Sequence, residues 1–223
     1  MAATGVAGRL EETVVDVSRR PLSWRMVTVA ERGAALVLLI LFSPLLLIAA
    51  ATIVLLSKDC PFVAHRRVGR GGRPIRVIKL RTMWGTAPRS GRALIEDLES
   101  TYVPELKSAA DPRITSTFAA FCRRYSIDEL PQLWQTVRGE MALVGPRPIT
   151  AEELRHHYGR SAPEVLSVAP GITGLWQVKG RNRLTYRQRR RLDVFLVRNW
   201  SPRLYLFILG STGRAVLSGR NSG

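Results

Sequence analysis

The chain has 223 residues, with 34 lysines and arginines against 17 aspartates and glutamates, for a formal net charge of +17. That length suits one domain with ample core, and that charge favours an anionic partner: nucleic acid, a lipid headgroup or a phosphorylated substrate. The cysteines, Cys60 and Cys122, and the histidines, His65, His156 and His157, have no zinc-ligand spacing, which argues against a zinc centre and for reduced thiols.

Residues 1–20 are mixed and polar and read as a loose tail. After a lead-in over 21–33, residues 34–56 run without a charge, about the length needed to cross a bilayer. The stretch lies too far into the chain for a secretory signal and lacks a small-residue cleavage site. A single transmembrane helix is the plain reading, but two features favour a re-entrant hairpin that enters and leaves on the cytosolic face. Ser43-Pro44 stands at the centre. Proline removes a helix hydrogen bond and bends or breaks the helix, and Ser43 can satisfy a freed carbonyl. Both flanks are also basic, with Arg19, Arg20, Arg25 and Arg32 before and Lys58, Arg66, Arg67, Arg70 and Arg73 after, so the positive-inside rule selects no orientation.

Residues 63–83 predict a hairpin: an extended run to Val68, a turn over 69–72, and a second strand over 75–80. Lys79 and Arg81 lie two apart, so a strand would aim both cations at one spot. Residues 85–112 read as an irregular polar loop with a short helix near 94–99. Residues 111–115 lead into a helix ending near Arg124. Further on, 151–158 reads as a helix with His156 and His157 on its surface, 170–174 as a turn, 176–178 as a short strand and 180–182 as a tight loop. Residues 185–200 read as a very basic helix carrying Asp193, whose RQRRR run suits a solvated face or a seat for anionic lipid. Leu204, Phe207, Ile208 and Leu209 then predict an interfacial helix.

The sharpest feature is the acidic pair Asp128-Glu129 in a basic surround. One reading is structural. Ser126 and Glu129 fit a capping box, with Asp128 complementing the helix dipole or acting as the cap itself. The other is chemical: one carboxylate attacks a phosphoryl group, its neighbour holds Mg²⁺, and arginines hold the anion. Arg147, between two prolines in Gly145-Pro-Arg-Pro148, has little freedom and suits a fixed anion contact. No Walker-type phosphate loop is present, and no GxGxxG follows a strand.

The segments RVGRGGRPIRVIKLRTM, SIDELPQLWQTVRGEMALVGPRP and PGITGLWQVKGRN, in that order, resemble the bacterial sugar transferases in their short form, the monotopic phosphoglycosyl transferases. The resemblance runs from about residue 31 to about residue 217. It implies transfer of a sugar phosphate from a nucleoside diphosphate sugar, usually a UDP-sugar, to undecaprenyl phosphate, with UMP leaving first. It implies Asp128 as the nucleophile that forms a phosphosugar ester and Glu129 as the Mg²⁺ ligand. Lys79, Arg81, Arg123, Arg147 and Arg181 would bind substrate phosphates, with Asp193 supporting. Ser43-Pro44 would break the membrane helix, and Glu31 would be its entry acid.

The fold expected is α+β: a mostly helical monotopic membrane protein with a re-entrant N-terminal helix hairpin, a small β-hairpin and interfacial amphipathic helices. Its parts would be a tail and lead-in over 1–30, the re-entrant helix over 31–58, and a cytosolic catalytic domain over 59–223 at the cytoplasmic face of the bacterial inner membrane. Expected partners are the nucleotide sugar, undecaprenyl phosphate, membrane lipids and, in a homodimer, a second copy; nucleic acid is not expected. The chain departs from the family pattern at His65, Ala119, Cys122 and Tyr205. Of these, Tyr205, where the family usually has aspartate, bears on packing or membrane contact at the C-terminal end. Two rivals are a basic membrane-tethered adaptor without catalysis and a nucleic-acid binder. The second lacks a helix-turn-helix signal or an aromatic stacking platform, and the apolar segment fits it badly.

Overall fold

A computed structural model describes residues 22–83, 95–98, 116–180 and 184–219. Its first element is α1, Leu22–Ser57, a single 36-residue helix that would be about 54 Å long if straight. The helix continues through Pro44, so the break expected at Ser43-Pro44 does not form. Proline has no N–H to offer the carbonyl of Ile40 four residues back, but the Ser43 hydroxyl donates to that carbonyl at 2.7 Å. Thr28, Thr52 and Ser57 likewise donate to carbonyls one turn earlier, so these hydroxyls are satisfied within the helix.

The apolar surface of α1 is largely uncovered. Val37, Ile40, Leu41, Leu47 and Ile48 are exposed, and 11 % of the most apolar stretch is buried. A core helix of a water-soluble domain would hide such a surface, so this one is suited to lipid. What α1 does bury is a line of small or special residues: Glu31, Ala35, Ala49, Ala50 and Ile53.

The expected hairpin forms from β1, Phe62–Val68, and β2, Pro74–Leu80. They are antiparallel, with Val63 opposite Lys79 and Val68 opposite Pro74. The turn places Gly71 and Gly72 at φ of 68° and 78°, a left-handed region that glycine enters without a Cβ clash. β3, Ile95–Leu98, pairs in parallel with β1. The helix expected near 94–99 is therefore a strand: the second edge of β1 offers unpaired backbone groups, and pairing outweighs the local preference of four residues. The rest of the loop expected over 85–112 lies outside the described residues.

Next come α2, Thr117–Arg124, a 3₁₀ turn over Ile127–Glu129, and α3, Gln132–Arg138. β4, Ala142–Val144, pairs in parallel with β5, Gly171–Thr173. Between them run α4, Ala151–Glu153, a wide π turn over Leu154–Tyr158, a tight 3₁₀ turn over Gly159–Ser161, and α5, Ala162–Val165. The segment expected as a turn over 170–174 is thus mostly strand. Gly145 and Gly171 allow it, because a Cβ on Gly145 would lie 2.7 Å from the Gly171 nitrogen. The strand expected over 176–178 is instead part of helix α6, Leu175–Lys179. The N–H groups of Gln177 and Val178 both turn back to the Gly174 carbonyl, which directs Leu175 into the core. The chain ends in α7, Tyr186–Arg198, capped reciprocally by Thr185 and Gln188, and α8, Pro202–Leu217, capped by Ser201.

α1 contributes to two hydrophobic clusters of the same body. Ala35 packs with Leu133, Leu143, Leu196, Tyr205 and Ile208. Ala49, Ala50 and Ile53 pack with Leu80, Cys122 and Ile127. Leu130 touches both clusters. Near the start of α1, buried Glu31 accepts the Leu143 N–H at 3.2 Å and the Tyr205 hydroxyl at 2.9 Å on one oxygen. The departure at Tyr205 therefore has a packing role: its hydroxyl ties α8 to α1.

Candidate active site

The acidic pair sits at a sharp reversal after α2. Ser126 adopts φ 54°, ψ 25°, left-handed for a residue other than glycine, and makes no side-chain capping bond. The Glu129 N–H bonds instead to the Ser126 carbonyl at 3.1 Å. Nor does Asp128 cap α3, which Pro131 precedes. The Ser126 cap expected from the S-x-x-E pattern therefore does not form, while both carboxylates lie in the first turn of the 3₁₀ segment. The strained residue holds Ile127 and Asp128 inward, where both are buried.

Three further groups converge there. Lys79, on β2, donates to Glu129 Oε1 at 2.6 Å. Burial works against the Lys79 ammonium, but the Glu129 and Asp128 carboxylates outweigh it and raise its pKa. Burial also raises the Asp128 pKa to about 6; Lys79 opposes that rise, Glu129 adds to it and Arg123 opposes it. Arg123, on the last turn of α2, reaches the Thr82 hydroxyl at a long 3.5 Å. Burial pushes the nearby Cys122 thiol up to about 11, with the Asp128 charge adding to it, so this cysteine is unreactive. The arrangement offers a buried carboxylate, ionised for the most part at neutral pH, flanked by cations that can hold phosphate oxygens.

Arg81 does not join them. β2 ends at Leu80, and although the Arg81 N–H still bonds to the Pro61 carbonyl at 2.8 Å, the side chain is taken up by the segment before β1. The Arg81 side chain is buried and donates to the Cys60 carbonyl and Sγ, both at 2.7 Å, with Asp59 at 3.5 Å. It fastens β2 to the exit of α1.

Arg147 and Asp193 form a second group. The Val68 N–H bonds to the Ile149 carbonyl at 2.8 Å, which sets the Pro-Arg-Pro segment at the turn end of the hairpin. Val63, the partner of Lys79, is about 17 Å away along the strand. The Arg147 N–H donates to Asp193 Oδ1 at 3.3 Å, and Tyr158 donates to Asp193 Oδ2 at 2.8 Å. Arg147 also lies 3.7 Å from Glu153 and 5.2 Å above the Trp176 ring, which Arg189 approaches at 5.4 Å. Burial raises the Asp193 pKa to about 7, against the Tyr158 and Arg147 hydrogen bonds and the Arg147 and Arg189 charges.

Arg181 lies outside the described residues. Ser43 and Pro44 stand mid-helix, within the uncovered apolar stretch. Sequence reasoning missed Thr82, Glu153, Tyr158, Trp176 and Arg189. Glu153 carried a local signal, the Thr150-x-x-Glu153 capping box that does form, while Arg189 lay in the RQRRR run and Trp176 in the PGITGLWQVKGRN segment without a role being read for either.

The family model described as bacterial sugar transferase matches residues 23–219. The chain is 39 % identical over 196 residues to the exopolysaccharide production protein ExoY of Rhizobium meliloti, covering 85 % of this chain and 84 % of that one. It is 36 % identical over 205 residues to the UDP-glucose:undecaprenyl-phosphate glucose-1-phosphate transferase of Caulobacter vibrioides, covering 87 % of this chain and 67 % of that one. It is 38 % identical over 156 residues to the undecaprenyl-phosphate galactose phosphotransferase of Salmonella typhimurium, covering 69 % of this chain but 32 % of the longer relative.

Proposed function

Because the chain belongs to the bacterial sugar transferase family, we propose that it moves a sugar-1-phosphate from a UDP-sugar to undecaprenyl phosphate, the membrane step that opens assembly of an extracellular polysaccharide. The observation that carries this reading is the buried Asp128, flanked by the Lys79–Glu129 pair and Arg123.

An Asp128 carboxylate oxygen attacks the sugar-bearing phosphorus. The bond from that phosphorus to the bridging oxygen breaks, and UMP leaves with the electron pair. The aspartyl phosphosugar is then attacked at the same phosphorus by an undecaprenyl phosphate oxygen. That step releases the Asp128 carboxylate and yields the lipid diphosphosugar. Lys79 and Arg123 offset negative charge on the phosphoryl oxygens, and Lys79 also favours ionised Asp128. Adjacent hard carboxylates suit Mg²⁺, which takes one or two protein carboxylates and fills its shell with water and substrate phosphate. Glu129 would hold it through lone pairs not engaged by Lys79, and the bound ion would offset phosphate charge. Arg147, held on Trp176, would bind a more distant part of the donor.

The packing of α1 supports a re-entrant course. Glu31 and Ile53 would be about 33 Å apart on a straight helix, roughly the thickness of the hydrocarbon core. In a spanning helix their contacts would lie on opposite sides of the membrane. Both ends instead pack on one body and share Leu130. The exposed Leu206, Phe207 and Leu209 of α8 would lie in the same interface, with the body on the cytoplasmic face.

The decisive experiment is covalent labelling with a UDP-sugar carrying radioactivity in the sugar. Asp128→Asn should give no labelled protein and no UMP; retained labelling would remove Asp128 as the nucleophile. Tagging both termini and probing from each side of the membrane tests the helix, and tags found on opposite sides would refute the re-entrant course.

A further inference from the structure

β2 is an edge strand, since the sheet order is β2-β1-β3. Its free edge is not left to solvent. Gln135, on α3 and 1 % exposed, accepts the Ile78 N–H on Oε1 at 2.9 Å and donates from Nε2 to the Arg76 carbonyl at 2.6 Å. The side-chain amide thus takes the place of a neighbouring strand across one repeat of the edge. Its orientation is also fixed: Glu140 Oε2 accepts a second bond from Nε2 at 3.3 Å, and Arg138 holds the other Glu140 oxygen at 2.9 Å. Acceptors lie on the Nε2 side and a donor on the Oε1 side, so a flipped amide would lose each bond.

Residues 76 and 78 point their backbone groups outward to this clip. The residues between and after them, Val77 and Lys79, therefore direct theirs toward β1. The clip thus ends one residue before Lys79. Six residues upstream of Gln135, across the turn into α3, stands Glu129, the partner of Lys79 at 2.6 Å. One amide joins the segment that carries the acidic pair to the strand that carries the cation.

We propose that Gln135 is a positioning residue for the transfer reaction. By clipping α3 to the edge of β2, it sets the distance between Lys79 and the Asp128–Glu129 pair. The inference rests on the reading of that group as the active site. A shift of about 1 Å at such a contact can slow a reaction on the order of a hundredfold, so loss of the clip should be felt in the rate at saturating donor.

The test is a double-mutant cycle on the single-turnover rate of phosphosugar labelling at saturating UDP-sugar. Gln135→Met keeps the side-chain length and removes both strand bonds. It should slow labelling by about tenfold or more in protein whose thermal unfolding shows it folded. In a Lys79→Met background, where nothing remains to be positioned, the same change should slow the residual rate by less than about twofold. A normal rate for Gln135→Met, or an equal loss in both backgrounds, overturns the proposal, since a general structural defect would act with or without Lys79. Should Gln135→Met fail to fold, Gln135→Asn, too short to span both groups, takes its place in the cycle. Failure of the active-site reading appears separately, as labelling that survives Asp128→Asn.

Discussion

The bond between Tyr205 and Glu31 makes a prediction whose sign depends on background. Both residues are buried, at 7 % and 8 % exposure, and the hydroxyl meets Glu31 Oε2 at 2.9 Å. Tyr205→Phe leaves a buried carboxyl oxygen with one donor fewer, a loss of about 1–3 kcal/mol. At roughly 2–4 °C per kcal/mol for a chain of this size, the unfolding midpoint should drop by about 2–12 °C. Glu31→Leu should also destabilise, because it orphans the Tyr205 hydroxyl and the Leu143 N–H. In that background Tyr205→Phe removes one of the orphans, so the double variant should be more stable than Glu31→Leu alone. Both cysteines are free and buried, so a thiol-reactive fluorophore can follow thermal unfolding in a fixed detergent. A midpoint for Tyr205→Phe within about 1 °C of wild type, or a further drop in the Glu31→Leu background, would refute the assigned bond.

Three other outcomes follow from the site. Asp128 titrates near 6, so the labelling rate should fall as pH drops through about 6, by roughly tenfold between pH 7 and pH 5. A flat profile over that range would contradict the burial of the nucleophile. Asp193 binds its proton more tightly folded than unfolded, with a pKa of about 7 against an ordinary 3.8. Its contribution to stability is therefore present at low pH and lost as pH rises through 7. The midpoint of the wild-type protein should decline between about pH 4 and pH 7 more than that of Asp193→Asn, and parallel curves would count against the assignment. Arg81→Met should cost about 3–5 kcal/mol by stranding buried Asp59, while the labelling rate per folded molecule stays within about threefold of wild type. A stable variant that labels poorly would return Arg81 to the phosphate site.

The sequence disclosed most where the signal is local. The hairpin announced itself through its glycine turn, and the long helix through its uncharged run. The capping-box pattern misled at Ser126 because four residues cannot say whether the first will turn left-handed. The same grammar did form caps at Thr150–Glu153 and Thr185–Gln188. Strand alternation misled at Arg81, since nothing nearby in sequence reveals that the carbonyl of Cys60, 21 residues earlier, takes its donor. The bonds that organise the rest join residues 35 apart at Tyr158–Asp193, 57 apart at Gln135–Ile78 and 174 apart at Tyr205–Glu31. Contacts at such separations leave no period or spacing to read. The family resemblance supplied the acidic pair and Lys79 as a group, but not the aromatic and carboxylate setting of Arg147.

The alanine stripe of α1 limits what can be done with the molecule. Ala35, Ala49, Ala50 and Ile53 are interior residues of the catalytic body, so the helix is a wall of that body as well as an apolar surface suited to lipid. Cutting it away would lay bare Leu80 and Ile127 on one side and Leu143 and Ile208 on the other. Grafting the body onto a foreign anchor would do the same. A water-soluble form for biochemistry would have to keep the stripe in place and recode only the outward positions, Val37, Ile40, Leu41, Leu47 and Ile48, with polar side chains.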